Sequence, residues 1–230
     1  MAQRPEPEPI AVRHPPGAAR GRYWRLPNSA AALARMGPWL TGRDRTLARR
    51  HRLPRRRQAF LLATALLRYA LAEHLGTGRR ALPLQRRSQR RPRIRAMRWA
   101  EQLSLSVAHT DQWVLAGLLP GGRRLGLDLE AATRSISPAV ARRLPWPQGA
   151  LQPSLLQGWT LVEAALKADG RGIPALAQLR LVGADGGGWR FRCGDWLLRG
   201  AAIPGLSGHP RPVAAIAIAD QHFPKVASTP

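Results

Sequence analysis

Apolar side chains recur at helical spacing in two long stretches of the chain. The first stretch predicts a helix from Arg55 to Leu75, closed by Gly76. Its buried face would be formed by Phe60, Thr64, Leu67, Leu71 and Leu75. The second stretch predicts a helix from Trp159 to about Asp169, with Gly170 as its stop signal. Its apolar side would carry Leu161, Val162, Ala165, Leu166 and Ala168.

Alternating or continuous apolar runs predict short antiparallel strands in the rest of the chain. The runs are 23–26, 103–107, 113–119, 124–130, 179–182, 189–192, 195–199 and 213–219, with a further short strand near Ile94. Residues 108–111 are expected to form a turn, and short helices are expected at 29–36, with Ser29 as N-cap, and at 134–144. Helices beside antiparallel strands make the predicted fold class α+β.

The first 20 residues are rich in proline and show no periodicity, which predicts a disordered or loosely attached tail. Neither a secretory leader nor a run of apolar residues long enough to span a bilayer is evident, so we expect a cytoplasmic protein without membrane contact. The single cysteine, Cys193, excludes an internal disulfide and a zinc site built from cysteines.

The chain is strongly basic, with a formal net charge of +24, and residues 1–98 carry +20 of it. This balance indicates an anionic partner, such as a phosphate-rich ligand, nucleic acid or an acidic protein. An arginine-heavy composition without functional meaning explains the total equally well. A nucleic-acid-binding protein is disfavoured because the basic half has neither an interleaved aromatic platform nor a recognisable binding motif.

A pair of acidic residues lies on the predicted strand 124–130. Gly126, Asp128 and Glu130 alternate with leucines, so they share one strand face. Adjacent carboxylates repel each other unless a cation lies between them, and Gly126 would leave open space on that face. Magnesium prefers carboxylate oxygens and substrate phosphates, so it is a suitable guest; an edge strand with a solvated acidic face is the alternative.

The helix beginning at Trp159 presents Glu163 and Lys167 one turn apart on one face. Alone, the two residues would indicate an ordinary surface ion pair. Together with the acidic strand they indicate phosphoryl chemistry, in which a metal held by Asp128, Glu130 and Glu163 binds a pyrophosphate and Lys167 meets the phosphate oxygens. An enzyme is therefore favoured over a binding module.

At these residues the chain resembles the surfactin-type 4′-phosphopantetheinyl transferases. One shared motif is Gly-x-Asp-x-Glu, here Gly126 to Glu130; the other is Trp-Ser/Thr-x-x-Glu-Ala-x-x-Lys, here Trp159 to Lys167. The resemblance implies transfer of the phosphopantetheine arm of coenzyme A to a serine of an acidic acyl or peptidyl carrier protein, with Mg²⁺ as cofactor. It implies Asp128, Glu130 and Glu163 as metal ligands, Glu163 also as base, and Lys167 as phosphate partner.

The resemblance further implies a pseudo-dimer of two similar α+β halves, here 21–124 and 125–222, acting as a monomer. The family's Ser-His-Ser turn corresponds to Ala108-His109-Thr110, which implies coenzyme A contacts from His109 and Thr110. Its Gly-Lys-Pro corresponds to Arg90-Arg91-Pro92, which gives that role to Arg91. The family's arginine before the N-terminal helix has Ala59 at its ungapped position, so Arg57 or Arg56 is expected to replace it.

Three alternative functions are compatible with the same residues. A relative that binds coenzyme A or a carrier protein without catalysis would explain the loss of a hydroxyl at Ala108 and of the arginine at Ala59. A metal-dependent phosphohydrolase would release its products without a carrier. A nucleic-acid-binding protein would explain the arginines but leave the three carboxylates unexplained.

Overall fold

A computed structural model describes residues 7–10, 21–78, 82, 84–85, 92–94, 103–146, 153–185, 188–203 and 212–220. The chain divides into two compact units, with the boundary between Gly122 and Arg123. Helices and three antiparallel sheets make up the described part, which confirms the α+β class. In the same part of the chain, no helix has the length and apolar character needed to cross a membrane.

The first unit is built on an antiparallel sheet covered by a long helix. Its sheet has the order β1-β2-β6-β5, and β3 pairs with β4 separately. The strands are β1 (Glu8–Pro9), β2 (Arg22–Pro27), β3 (Leu84–Gln85), β4 (Arg93–Ile94), β5 (Leu103–His109) and β6 (Trp113–Pro120). The helices are α1 (Ala30–Met36), α2 (Gly42–Ala48) and α3 (Pro54–Leu75), with a 3-10 turn at Gly37–Trp39.

Helix α3 agrees with its predicted bounds to within one residue. Pro54 occupies the first turn, where its missing N–H costs nothing, and Gly76 closes the helix with a φ of 60°. The predicted apolar positions are buried except Leu75, which is half-buried. The helix packs on β2, β5 and β6, so its apolar face forms part of the hydrophobic core of this unit.

A buried ion pair joins α2 to α3. The guanidinium of Arg68 donates to both carboxylate oxygens of Asp44, at 3.1 and 3.4 Å, and also to the carbonyl of Leu82. Asp44 also completes a capping box with Thr41 at the start of α2. Both charged groups are almost fully buried, so each depends on the other to offset its desolvation.

The second unit places one long helix on a five-stranded antiparallel sheet of order β7-β11-β10-β9-β8. The strands are β7 (Arg124–Glu130), β8 (Leu179–Asp185), β9 (Gly188–Cys193), β10 (Trp196–Ala202) and β11 (Val213–Asp220). The helices are α4 (Pro138–Ala141) and α5 (Leu155–Asp169), followed by a 3-10 turn at Ile173–Gln178. Helix α5 packs on β7, β10 and β11, and its C-cap Gly170 has a φ of 90°.

The structure differs from the sequence-based expectations in several places. Helix α5 begins at Leu155, four residues before the predicted start at Trp159, because Ser154 caps it there. The helix predicted at 134–144 is only Pro138–Ala141, because Ser137 caps a new start there and Arg134 lies in a turn. The turn predicted to begin at residue 108 starts after His109, since β5 pairs with β6 up to that residue. Within the predicted tail, Glu8–Pro9 pairs with β2 as strand β1.

We predict that Arg68→Met lowers the free energy of unfolding by about 3–5 kcal/mol, because it leaves the Asp44 carboxylate buried without its cation. Arg55→Met is the matched control. Arg55 forms an exposed pair with Asp111, with both side chains more than 70% exposed, so its loss should cost less than about 1 kcal/mol. Urea unfolding of both variants measures the difference, and equal losses would contradict the role of burial.

Candidate functional site

The acidic strand β7 lies at the edge of the five-stranded sheet and pairs with β11. Asp128 is opposite Ala215 and Glu130 is opposite Val213 in this pairing. Both acidic side chains are buried, at 2% and 6% exposure, although a strand at a sheet edge could have presented them to solvent. The reading of a solvated acidic face is therefore wrong, and two carboxylates are held away from bulk water.

Gly126 sets the distance between β7 and α5. A Cβ atom placed on Gly126 would lie 1.9 Å from the carbonyl oxygen of Ala164 and 2.5 Å from the amide nitrogen of Ala168. Both are backbone atoms of the helix, so they cannot rotate out of the way. The expectation that Gly126 leaves open space on its face is thus wrong, because the backbone of α5 occupies that space.

This close approach brings the predicted acidic residues into one cluster. Ligand oxygens of Asp128, Glu130 and Glu163 all lie within 4.8 Å of one another, and we call these three residues the acidic cluster. Lys167, one turn after Glu163, donates from Nζ to Asp128 Oδ1 at 2.6 Å. Lys167 of α5 therefore pairs with Asp128 of β7, and the alternative of a surface ion pair between Glu163 and Lys167 within the helix is not what the structure contains.

Arg134 is a member of the site that the sequence did not indicate. Its guanidinium forms an ion pair with Glu130 and lies 5.7 Å from the ring centre of Trp159. The sequence predicts Arg134 as the first residue of a helix, and this position indicates no acidic partner for its side chain. The spacing of four residues after Glu130 carries no signal outside a helix, so only the turn after β7 reveals the contact.

The pKa of Glu163 is raised to about 7. Burial of the carboxyl is the largest cause, the charge of Asp128 adds to it, and Lys167 opposes it. For Lys167, burial lowers the pKa but the neighbouring carboxylates, Asp128 foremost, outweigh it, so the pKa is raised and the ammonium persists at neutral pH. The site therefore holds a fixed positive charge beside a carboxyl group that titrates near neutrality.

The acidic cluster fits a divalent cation that prefers oxygen ligands. Asp128 Oδ2 is buried and has no hydrogen-bond partner among the described residues, which is costly unless a cation or a proton meets it. Three carboxylates from a strand and a helix can each offer one oxygen to the same point. Magnesium accepts such a set and fills its remaining positions with water or phosphate oxygens.

The described residues among the predicted coenzyme A contacts belong to the first unit. His109 is exposed at the end of β5, and the next residue, Thr110, accepts from the backbone N–H groups of Gln112 and Trp113 through its hydroxyl oxygen. The hydroxyl hydrogen of Thr110 is then the group that suits a phosphate oxygen.

The exposed Arg57 lies in the second turn of α3 and donates to the carbonyl of His51. The neighbouring Gln58 donates to Asn28, which donates to the carbonyl of Thr110, so the start of α3 is linked to the turn after β5. Arg91 falls outside the residues that the structure describes.

No protein-family model matches the chain, and no curated protein compared with it matches either.

We predict that Gly126→Ala destabilises the protein by about 1–3 kcal/mol or more, because the added methyl group forces α5 away from β7. Metal affinity should fall with it, since Glu163 moves with the helix. Gly42→Ala is the control, because a Cβ at Gly42 meets nothing within 4 Å. Its stability should stay within about 1 kcal/mol of wild type. Unfolding free energies test this, and equal effects of the two substitutions would contradict it.

We predict a pH-dependent contribution of Glu163 to stability when metal is removed with EDTA. Its folded-state pKa of about 7 exceeds the ordinary 4.5, so the folded state binds more protons between these values. Stability from this group is thus full below pH 4.5 and is lost as the pH rises towards 7. Wild type should lose stability relative to Glu163→Gln across this window and not above it. Parallel stability curves for the two proteins would contradict the shift.

Proposed function

We propose that the protein is a surfactin-type 4′-phosphopantetheinyl transferase, which moves the phosphopantetheine arm of coenzyme A to a serine of a carrier protein. The observation that carries the proposal is the acidic cluster with Lys167 bonded to it. The proposal also rests on the two motifs, because the residues they share with the family are the ones that meet in space.

The contact between the motifs supports this reading. Gly126 of the strand motif lies against the backbone carbonyl of Ala164 in the helix motif, so the absence of a side chain at Gly126 lets the backbones approach. Ala164 is fully buried. The undefined positions of the two motifs all carry buried apolar side chains, namely Leu127, Leu129, Leu161, Val162, Ala165 and Leu166.

A pseudo-dimer of two similar halves is supported by the order of elements within each unit. In the first unit, β2 precedes the long helix α3 and pairs with the last strand, β6. In the second unit, β7 precedes the long helix α5 and pairs with the last strand, β11. We propose that this shared order reflects the repeated half of the family fold.

Glu163 is suited to act as the base that receives the serine proton. Without a metal the pKa of Glu163 is raised to about 7, and a metal in the cluster would favour the ionised carboxylate, which is the form that accepts a proton. The serine oxygen then forms a bond to the phosphorus that carries the pantetheine arm, and the bond from that phosphorus to the oxygen of adenosine 3′,5′-bisphosphate breaks. The bisphosphate leaves with the bonding electron pair.

In this proposal Lys167 stabilises the charge that gathers on the departing phosphate. Its ammonium is fixed by Asp128 at 2.6 Å, so little reorganisation is needed when that charge develops. Asp128, Glu130 and Glu163 would hold magnesium. The chemistry that magnesium supplies when bound is orientation of the pyrophosphate and stabilisation of its negative charge.

The exposed arginines near the start of α3 support an anionic substrate and an acidic protein partner. Between residues 42 and 57 the exposed basic residues are Arg43, Arg45, Arg49, Arg50, Arg52, Arg55, Arg56 and Arg57. The first unit thus presents a concentrated positive surface beside the predicted coenzyme A residues. Such a surface accelerates encounter with a negatively charged partner, and the acceleration weakens as salt is added.

We predict that the protein, supplied with coenzyme A and Mg²⁺, adds a phosphopantetheine group to the serine of an apo carrier protein. Intact-protein mass spectrometry of the carrier measures the gain. Glu163→Gln should lower the rate by roughly 100- to 10,000-fold, because it removes the base and a metal ligand together. Asp195→Asn, an exposed acid in the same unit, should keep the wild-type rate.

The outcomes separate the alternatives. A carrier that binds without gaining mass would indicate a non-catalytic relative, and cleavage of coenzyme A without a carrier would indicate a phosphohydrolase. A salt-resistant, sequence-selective DNA complex would indicate a nucleic-acid-binding protein. Absence of transfer to fatty-acid, polyketide and nonribosomal-peptide carriers, with folded enzyme and Mg²⁺, would refute the proposed activity.

A further inference from the structure

Two cationic side chains of the protein itself already occupy the acidic cluster. Lys167 engages one oxygen of Asp128, and Arg134 engages one oxygen of Glu130. Asp128 and Glu130 are buried, so they face these cations with little screening by water. A divalent cation that enters the cluster would therefore meet carboxylates whose negative charge is already partly balanced by Lys167 and Arg134.

The two cations are held differently. Lys167 extends from α5, the same rigid helix that carries Glu163. Arg134 extends from the turn after β7, where its backbone N–H donates to the carbonyl of Ala131. Its side chain is 43% exposed while that of Glu130 is 8% exposed, so the ion pair has one end in solvent. Arg134 can therefore leave Glu130 without any repacking of the core.

Trp159 provides a second contact for Arg134. The guanidinium lies 5.7 Å from the centre of the buried indole, which is a cation–π distance. This contact does not involve the carboxylate, so Glu130 is not the sole partner of the guanidinium in the position that it holds.

We infer that Arg134 is a resident cation that competes with the divalent metal for Glu130, so that metal binding requires the guanidinium to leave this carboxylate. The inference rests on the metal site of the proposed function. A guanidinium and a divalent cation on the same buried carboxylate repel each other, and Arg134 is the partner with an exposed side chain and a second contact. Arg134 acts through Glu130 and is therefore a positioning residue.

The test is direct binding of Mn²⁺, as a paramagnetic substitute for Mg²⁺, to the full-length protein without coenzyme A. Electron paramagnetic resonance measures the free ion at each addition. Arg134→Gln should bind Mn²⁺ more tightly, by the order of tenfold, because no cation has to be displaced. Arg134→Lys keeps the charge and should restore the weaker wild-type affinity. Arg142→Gln removes an exposed arginine from the C-cap of α4 and should leave the affinity unchanged.

A second measurement needs only the folded wild-type protein. Addition of Mg²⁺ should shift the Arg134 side-chain ¹⁵Nε–¹Hε resonance, which is assigned by its disappearance in Arg134→Lys, because the guanidinium leaves Glu130. Equal or weaker Mn²⁺ binding by Arg134→Gln, or an unchanged resonance at saturating Mg²⁺, would overturn the competition alone. Failure of every variant to bind Mn²⁺ would overturn the competition and the metal site together. Neither Mn²⁺ binding nor the Arg134 resonance depends on phosphopantetheine transfer. A failure of the proposed transferase activity can therefore be distinguished from a failure of the competition.

Discussion

The contact between Gly126 and Ala164 is the constraint on which the candidate site depends. Because no side chain separates β7 from α5 at Gly126, the helix lies close enough for Glu163 to reach Asp128 and Glu130. A sheet and a helix usually meet through interdigitated side chains, which keep their backbones further apart. Here the backbones touch, so carboxylates from two elements share a volume that one cation could fill.

This arrangement has an electrostatic cost that the protein offsets locally. Three carboxylates gathered within 4.8 Å repel one another in a buried place. Two cations, Lys167 and Arg134, and the raised pKa of Glu163 reduce that repulsion. The cluster is thus close to neutral without a metal, and it can become fully ionised when a metal is present.

Much of the fold follows from the sequence because its signals are local. The periodicity of α3 and α5 and their terminal glycines Gly76 and Gly170 lie within single elements, and the structure confirms these helices. The acidic pair and the Glu163–Lys167 spacing were also visible, since each belongs to one strand or one helix. That these residues meet was an expectation from the motifs and their resemblance, not from periodicity.

What the sequence concealed depends on contacts between elements or on caps. Gly126 is needed because the backbone of α5 lies against it, and the residue pattern of a strand does not reveal where a helix packs. Arg134 reaches the site through the turn after β7. Helix α2 is stabilised by a capping box, but in the sequence its segment is notable only for its many arginines. The helix expected over 134–144 was shortened because Pro138 and Ser137 start it later than its apolar residues suggest.

The buried pair of Asp44 and Arg68 has a consequence for the arginines around it. It ties α2 to the middle of α3, and the exposed arginines of residues 42–57 extend from these two helices and the link between them. The backbone that carries the positive charges is therefore already ordered before any anion arrives. An anionic ligand has to immobilise only side chains and not a loop, so less of its binding energy is lost to conformational entropy.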